Sequence, residues 1–171
     1  MALPEVTALH DQVSQVFLEW REDVYRYLVT LGLSPPEAQD ATQEVFFRLY
    51  IALRTGGEEI RNQRAWVFRV AHNLGRTLGA RQSSTLPLEA HLELTLKDPA
   101  RGPEIGLIER EKLQRMHVAV RDLSPQQRQC LQLRAEGLRY QEIADALGIG
   151  ISTVSEFLRR ALARLRKAAY E

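Results

Sequence analysis

Sulfur chemistry is nearly absent from this chain: there is one cysteine, Cys130, beside two methionines. A lone thiol excludes an internal disulfide and any zinc site built on cysteine pairs, and it suits a reducing cytosol. Cys130 falls at an inward helical position and reads as a small buried hydrophobe. Catalytic signatures are equally scarce. Gly56-Gly57 follows a helical stretch and terminates it, so it is no phosphate-binding loop. No Ser-x-x-Lys, His-Glu-x-x-His or Cys-x-x-Cys pattern occurs. The expectation is a protein that is not an enzyme and uses no metal or cofactor. Long apolar runs are missing too, since nothing approaches the roughly 18 residues of a membrane span. The opening MALPEVTALHDQ lacks the basic start and apolar core of a signal peptide. A cytoplasmic chain without membrane insertion is expected.

What is present is a soluble composition, 44% hydrophobic and 26% charged, over 171 residues. That length holds one ordinary domain or two small ones. The net charge of +1 conceals a strong asymmetry. Residues 1–60 balance at −6, and residues 61–82 carry five arginines (Arg61, Arg64, Arg69, Arg76, Arg81) and no acid. Residues 83–103 balance at −1 and residues 104–171 at +3, with most of that excess after Arg159. Such alternation fits two separate contacts with a polyanion and an acidic surface kept away from it; solvated helix faces would give the same charges.

The apolar periodicity is helical almost throughout. A first helix from about Ala8 to Leu31 carries Leu9, Val13, Phe17, Trp20, Val24, Leu28 and Leu31 as one stripe, and Gly32 ends it. Ser34-Pro35-Pro36-Glu37 is a capping box with proline at the first helical position. The helix it opens turns Ala38, Ala41, Val45, Leu49 and Leu53 inward. Asn62 can cap a third helix with Trp66, Val70, Leu74 and Leu78 as its apolar set; Trp66 is expected in the core and His72 on the surface. From Ser83 to Pro103 the period fails, with three prolines, two serines and a glycine, which marks a linker. Helices resume from about Glu104 to Arg121. Ser124-Pro125-Gln126-Gln127 is a second capping box, opening a helix that Gly137 closes. The fold class expected is all-α: two small helical domains over residues 1–82 and 104–171, joined by residues 83–103, the C-terminal one containing a helix-turn-helix.

That motif is YQEIADALGIGISTVSEFLRRALARLR, Tyr140 to Arg166. A short amphipathic helix, a Gly148-Ile149-Gly150 turn and a second helix are what a helix-turn-helix needs. Ala144 is small where the helices cross, and Gly148 stands where the chain reverses. Ile143, Leu147, Ile149, Ile151, Val154 and Leu158 supply the apolar lock. The outer face presents Ser152, Ser155, Glu156, Arg159 and Arg160. Hydroxyls near a helix start can hold phosphate, and arginine can read base edges. Glu156 is repelled by phosphates unless a cytosine amino group donates to it. Phe157 either packs inward or touches a thymine methyl. Without DNA, the same pattern serves as a helical packing module.

These residues resemble the fourth domain of bacterial RNA polymerase sigma factors. The likeness rests on Leu123-Ser124-Pro125, Arg128, Leu133, Gly137-Leu138-Arg139-Tyr140, Glu142-Ile143-Ala144, Gly148-Ile149, Thr153-Val154 and Arg160-Ala161. The output domain of LuxR-type regulators is similar over the same span, and a stand-alone regulator of duplex DNA is the alternative reading. The upstream half separates the two. The run from Ala38 to Tyr50, AQDATQEVFFRLY, resembles the polymerase-binding helix of the second sigma domain, and that from Ala65 to Leu74, AWVFRVAHNL, its promoter-melting and −10-reading helix. Order and spacing are similar to the compact extracytoplasmic-function group over nearly the whole chain.

The resemblance implies a sigma factor that binds core RNA polymerase, at its clamp and flap regions, and directs it to promoter DNA. It leaves room for an anti-sigma factor as a third partner. Asp40, Gln43, Glu44 and Phe47, spaced to share one helix face, become the polymerase contact. Arg69, His72, Asn73 and Arg76 become the −10 contact, and Ser152, Thr153, Ser155, Glu156, Arg159 and Arg160 the −35 contact. The loop from Thr55 to Asn62 would hold a flipped base, although it has no aromatic residue of its own. Thr77 and Ala80 stand where the family often has Asp and Arg, and Ser155 and Phe157 where it often has Lys or Arg; these departures bear on which promoter is read.

Overall fold

The computed structural model describes residues 3–57, 59–79 and 106–170. Among the described residues there are seven helices and no strand: α1 (Leu3–Thr30), α2 (Pro35–Thr55), α3 (Gln63–Gly79), α4 (Leu107–Arg121), α5 (Pro125–Ala135), α6 (Tyr140–Leu147) and α7 (Ile151–Tyr170). None is long and apolar enough to cross a membrane. They fall into two compact units, the first built on α1–α3 and the second on α4, α5, α7 and the Tyr140–Ala144 part of α6. The expected linker, 83–103, lies outside the described residues.

In the first unit α1, α2 and α3 pack against one another. The stripe expected on α1 is inward at Val24 and Leu28, and Tyr27 joins it with its ring fully buried. Phe17 meets Phe46 of α2 edge-on at 5.2 Å between ring centroids, and Tyr27 meets Phe68 of α3 the same way at 5.7 Å. Such edge-to-face pairs favour the packing beyond the area they bury. Ala38, Ala41, Val45 and Leu49 are buried on α2 as their spacing predicts, together with Thr42 and Phe46. The expected capping box is formed on one side: the Glu37 carboxylate accepts from the Ser34 backbone N–H at 3.0 Å and from its hydroxyl.

The rotation of α3 differs from expectation. Its buried residues are Val67, Phe68, Ala71, His72 and Gly75, whereas Trp66, Val70, Leu74 and Leu78 are only half-buried. Both sets recur at helical spacing, and Gly75 decides between them. A Cβ added there would lie 2.6 Å from Leu31 Cδ1 and 3.1 Å from Leu28 Cδ2. The absent side chain lets α3 approach α1 on that side, which turns Trp66 away from the core.

The second unit packs α4 and α5 against α7. Its core holds Ala119, Leu123, Cys130, Leu133, Leu138, Ile143, Ala144, Val154, Leu158 and Ala161. The Ser124 box is complete, with Gln127 N–H donating to Ser124 Oγ at 3.2 Å and Ser124 N–H donating to Gln127 Oε1 at 3.1 Å. Cys130 is fully buried, and desolvation raises its thiol to about 11, which keeps it protonated.

Candidate nucleic-acid and polymerase interfaces

The outward side of α2 carries its four expected residues on one face. Asp40 and Gln43 are exposed, and Glu44 is half-buried and pairs with Arg48 at 2.7 Å. Phe47 is 60% exposed, and one turn on Ile51 is 38% exposed. An apolar ridge beside carboxylates stands outward on a helix whose other side is buried, and among the described residues no partner element covers it. Sequence spacing located Phe47 but missed Ile51, which sits four residues further on.

The basic stretch before and within α3 is divided by the fold. Arg64 is structural: its guanidinium lies 5.4 Å from the ring centroids of both Trp20 and Phe68 and pairs with Asp23 at 3.0 Å. Arg61 pairs with Glu59 at 3.2 Å. Arg69 is half-buried, Asn73 and Arg76 are exposed, and Arg81 lies outside the described residues. Trp66 shares the outward side, since positions 66, 70, 73 and 77 follow helical spacing and all are half-buried or exposed. The expectation that Trp66 belongs to the core is therefore corrected.

His72 is corrected as well. It was expected on the surface as a −10 contact, but it is 3% exposed. Its Nδ1 is hydrogen-bonded with the Tyr27 hydroxyl at 2.8 Å. Burial, and then the Arg76 charge, lower it from 6.5 to about 4. A neutral buried imidazole cannot hold a phosphate; its role is to satisfy Tyr27 inside the unit. The consequence for stability has a definite sign. Below pH 6.5 the unfolded chain takes up a proton that folded His72 refuses until about pH 4, so this contribution is lost as pH falls through that window. We expect the first unit to lose about 2 kcal/mol between pH 7.5 and 5 from this group. Urea titrations across that range measure it, and His72→Gln should flatten the slope whatever its absolute stability.

In the second unit Arg134 donates to the Leu138 carbonyl at 3.0 Å and lies 5.7 Å from the Tyr140 ring centroid, fixing the entry to α6. Gly148 closes α6 in the left-handed region, φ 66°, and Ile149 N–H donates to Ala144 O at 3.1 Å. Ile143, Ala144, Val154 and Leu158 are buried, while Leu147, Ile149 and Phe157 are half-buried. Ile151, expected inward, is 45% exposed at the first position of α7, before that helix meets its neighbours. Ser152, Ser155, Arg159 and Arg160 are exposed, and Thr153 and Glu156 half-buried.

The chain matches the family profiles of sigma-70 region 2 over residues 16–84 and sigma-70 region 4 over residues 113–165. It is 29% identical over 159 residues to the ECF RNA polymerase sigma factor BldN of Streptomyces coelicolor, covering 91% of this chain and 60% of BldN. It therefore spans under two thirds of that relative's length. Among solved structures, CnrH in complex with the cytosolic domain of CnrY is similar with a TM-score of 0.65 at 22% identity, over 97% of this chain and 92% of CnrH. The sigma factor RpoE, in complex with the anti-sigma factor NepR from Bartonella quintana, is similar with a TM-score of 0.60 at 21% identity, over 91% of this chain and 94% of RpoE. Those two likenesses concern the fold; the two regional matches, in the order region 2 then region 4, concern ancestry, and by them the chain belongs to the sigma-70 family, in its extracytoplasmic-function group.

Proposed function

We propose that this protein is a non-catalytic, cytoplasmic specificity subunit that binds core RNA polymerase and directs initiation at promoters with −35 and −10 elements. The observation that carries the reading is the pairing of sigma-70 regions 2 and 4 in one chain. The Asp40, Gln43, Glu44 and Phe47 face, extended by Ile51, serves as the polymerase contact: an apolar ridge flanked by carboxylates suits a basic helical clamp. Asn73, Arg69 and Arg76 serve the −10 element. Trp66 adds the aromatic surface that the Thr55–Asn62 loop lacks, on which an unpaired base can stack. Ser152, Thr153, Ser155, Glu156, Arg159 and Arg160 serve the −35 element, and α7 is the helix presented to the major groove. The flap region and an anti-sigma factor are further partners, the latter supported by the RpoE–NepR complex.

The test is transcription with purified core polymerase on a promoter library. Defined start sites that depend on added protein, and retention of core polymerase by the tagged chain, are expected. Asp40→Ala combined with Phe47→Ala should abolish that retention while both units stay folded. Binding to a palindromic duplex with no affinity for core polymerase would replace this reading with that of a stand-alone regulator.

A further inference from the structure

The outer face of α7 carries its own counter-ion. Glu156 Oε1 accepts from Arg159 Nη2 at 2.8 Å and from Arg160 Nε at 2.6 Å, and its Oε2 accepts from Arg159 Nε at 2.9 Å. One carboxylate therefore engages both guanidinium groups of the presented face. The next arginine, Arg164, is engaged too, by the Asp122 carboxylate and carbonyl at 3.2 Å each. Ser152 and Ser155 are the uncharged outward groups ahead of these arginines, and Arg166 and Lys167 follow as exposed cations two turns further along the helix. Spacing permits the Glu156 arrangement once the helix forms, because positions 156, 159 and 160 are one turn apart.

We propose that Glu156 is an electrostatic selector: it withholds Arg159 and Arg160 from phosphates in general and releases them where a duplex offers its carboxylate an amino donor, as cytosine does in the major groove. This rests on the reading of α7 as the groove-entering helix. The argument is one of competition. Phosphate contact by either arginine must displace Glu156 or leave it facing the backbone charge, and the carboxylate stays ionised, since its two arginine partners hold it down at about 2. Random sequence compensates neither change. A cytosine N4 amino group at the right position does, because glutamate accepts from it, and the arginines are then released to phosphate or to guanine. Glu156 thus lowers affinity for wrong sequence more than for right sequence, which is how specificity is gained by penalising the competitor.

The test is binding of the full chain to fluorescent duplexes, without polymerase, across a salt series. Glu156→Gln should raise affinity for random duplex roughly five- to tenfold at the lowest salt. It should also steepen the dependence of log K on log salt by about 0.9 for each arginine newly placed on phosphate. On a library its base preference should move from cytosine to adenine at one position, since glutamine pairs with adenine where glutamate pairs with cytosine. Glu156→Ala should show the same gain in affinity and salt slope without the new adenine preference. Unchanged random-duplex affinity and salt slope in both variants, including no binding at the lowest salt by any form, overturns the proposal. So does a library preference that Glu156→Gln leaves intact. Failure of the wild-type chain to support transcription with core polymerase removes the functional reading while leaving these duplex comparisons interpretable.

Discussion

Phe68→Ala should unfold the first unit while leaving the second intact. Phe68 is fully buried. One side of its ring meets the edge of Tyr27, and the Arg64 guanidinium lies 5.4 Å from its centroid. That guanidinium is held in turn by Asp23 and by Trp20, while Tyr27 is held by His72. Truncation opens a cavity at the junction of α1 and α3 and loosens both the cationic stack and the Tyr27–His72 pair. The expected loss is about 3–5 kcal/mol, as for phenylalanine truncations in other cores. A three-helix unit has little reserve, because whole domains are stable by only about 5–15 kcal/mol. Both tryptophans, Trp20 and Trp66, lie in this unit, so their fluorescence reports on it alone. Tryptophan fluorescence of the unfolded state with little or no urea, while helical signal from the second unit persists, is the predicted pattern. Retention of core polymerase should fail in the same variant. A shift of only a few tenths of a kcal/mol would mean that the Phe68 site is not the centre of the unit's packing.

Where the sequence was legible, the local chemistry admitted one solution. The complete Ser124 box, the Gly148 turn, the small Ala144 at the crossing and the Val154–Leu158 lock are each dictated by backbone geometry that few other residues satisfy. The exposed face of α2 was legible for the same reason, because its opposite side has a single apolar stripe. In α3 the pattern is degenerate, with one apolar set at Trp66, Val70 and Leu74 and another at Val67, Ala71 and Gly75. Periodicity counts both equally, and the choice is made by close approach to Leu28 and Leu31, a tertiary fact. Placing Trp66 inward and His72 outward follows from taking the wrong set. The signal that could have prevented it was Gly75 in mid-helix, which is costly for a helix unless a neighbouring backbone or side chain needs the space. Charge counting was incomplete in a related way: five arginines and no acid over residues 61–82 fitted a polyanion contact or a solvated face, and the count could not show which arginines are already paired. The acids that occupy two of them, Asp23 and Glu59, lie outside that window, one of them in another helix.

The double variant Arg159→Ala/Arg160→Ala should lose promoter-directed transcription by roughly a hundredfold or more, since each well-placed arginine–base contact discriminates by about ten- to hundredfold. The protein should remain folded. The side chains of Arg159 and Arg160 are 68% and 60% exposed, and the residues that anchor α7, Val154, Leu158 and Ala161, point the other way. Helical content and the urea midpoint should therefore match the wild type, and retention of core polymerase, assigned to α2, should be unchanged. Part of the loss has a second origin. With both arginines gone, Glu156 is left on the presented face with neither of its hydrogen-bond donors, and a bare carboxylate against the DNA backbone is repulsive. Adding Glu156→Gln to the double variant removes that repulsion without restoring a cation, so the triple variant should recover some binding to duplex in general but little promoter choice. The two origins separate in one experiment that measures transcription from a cognate promoter against binding to random duplex for the wild type, double and triple variants. Recovery of random binding alone assigns the arginines to reading and Glu156 to restraint. Transcription near wild type in the double variant would move the −35 contact off this face of α7 altogether.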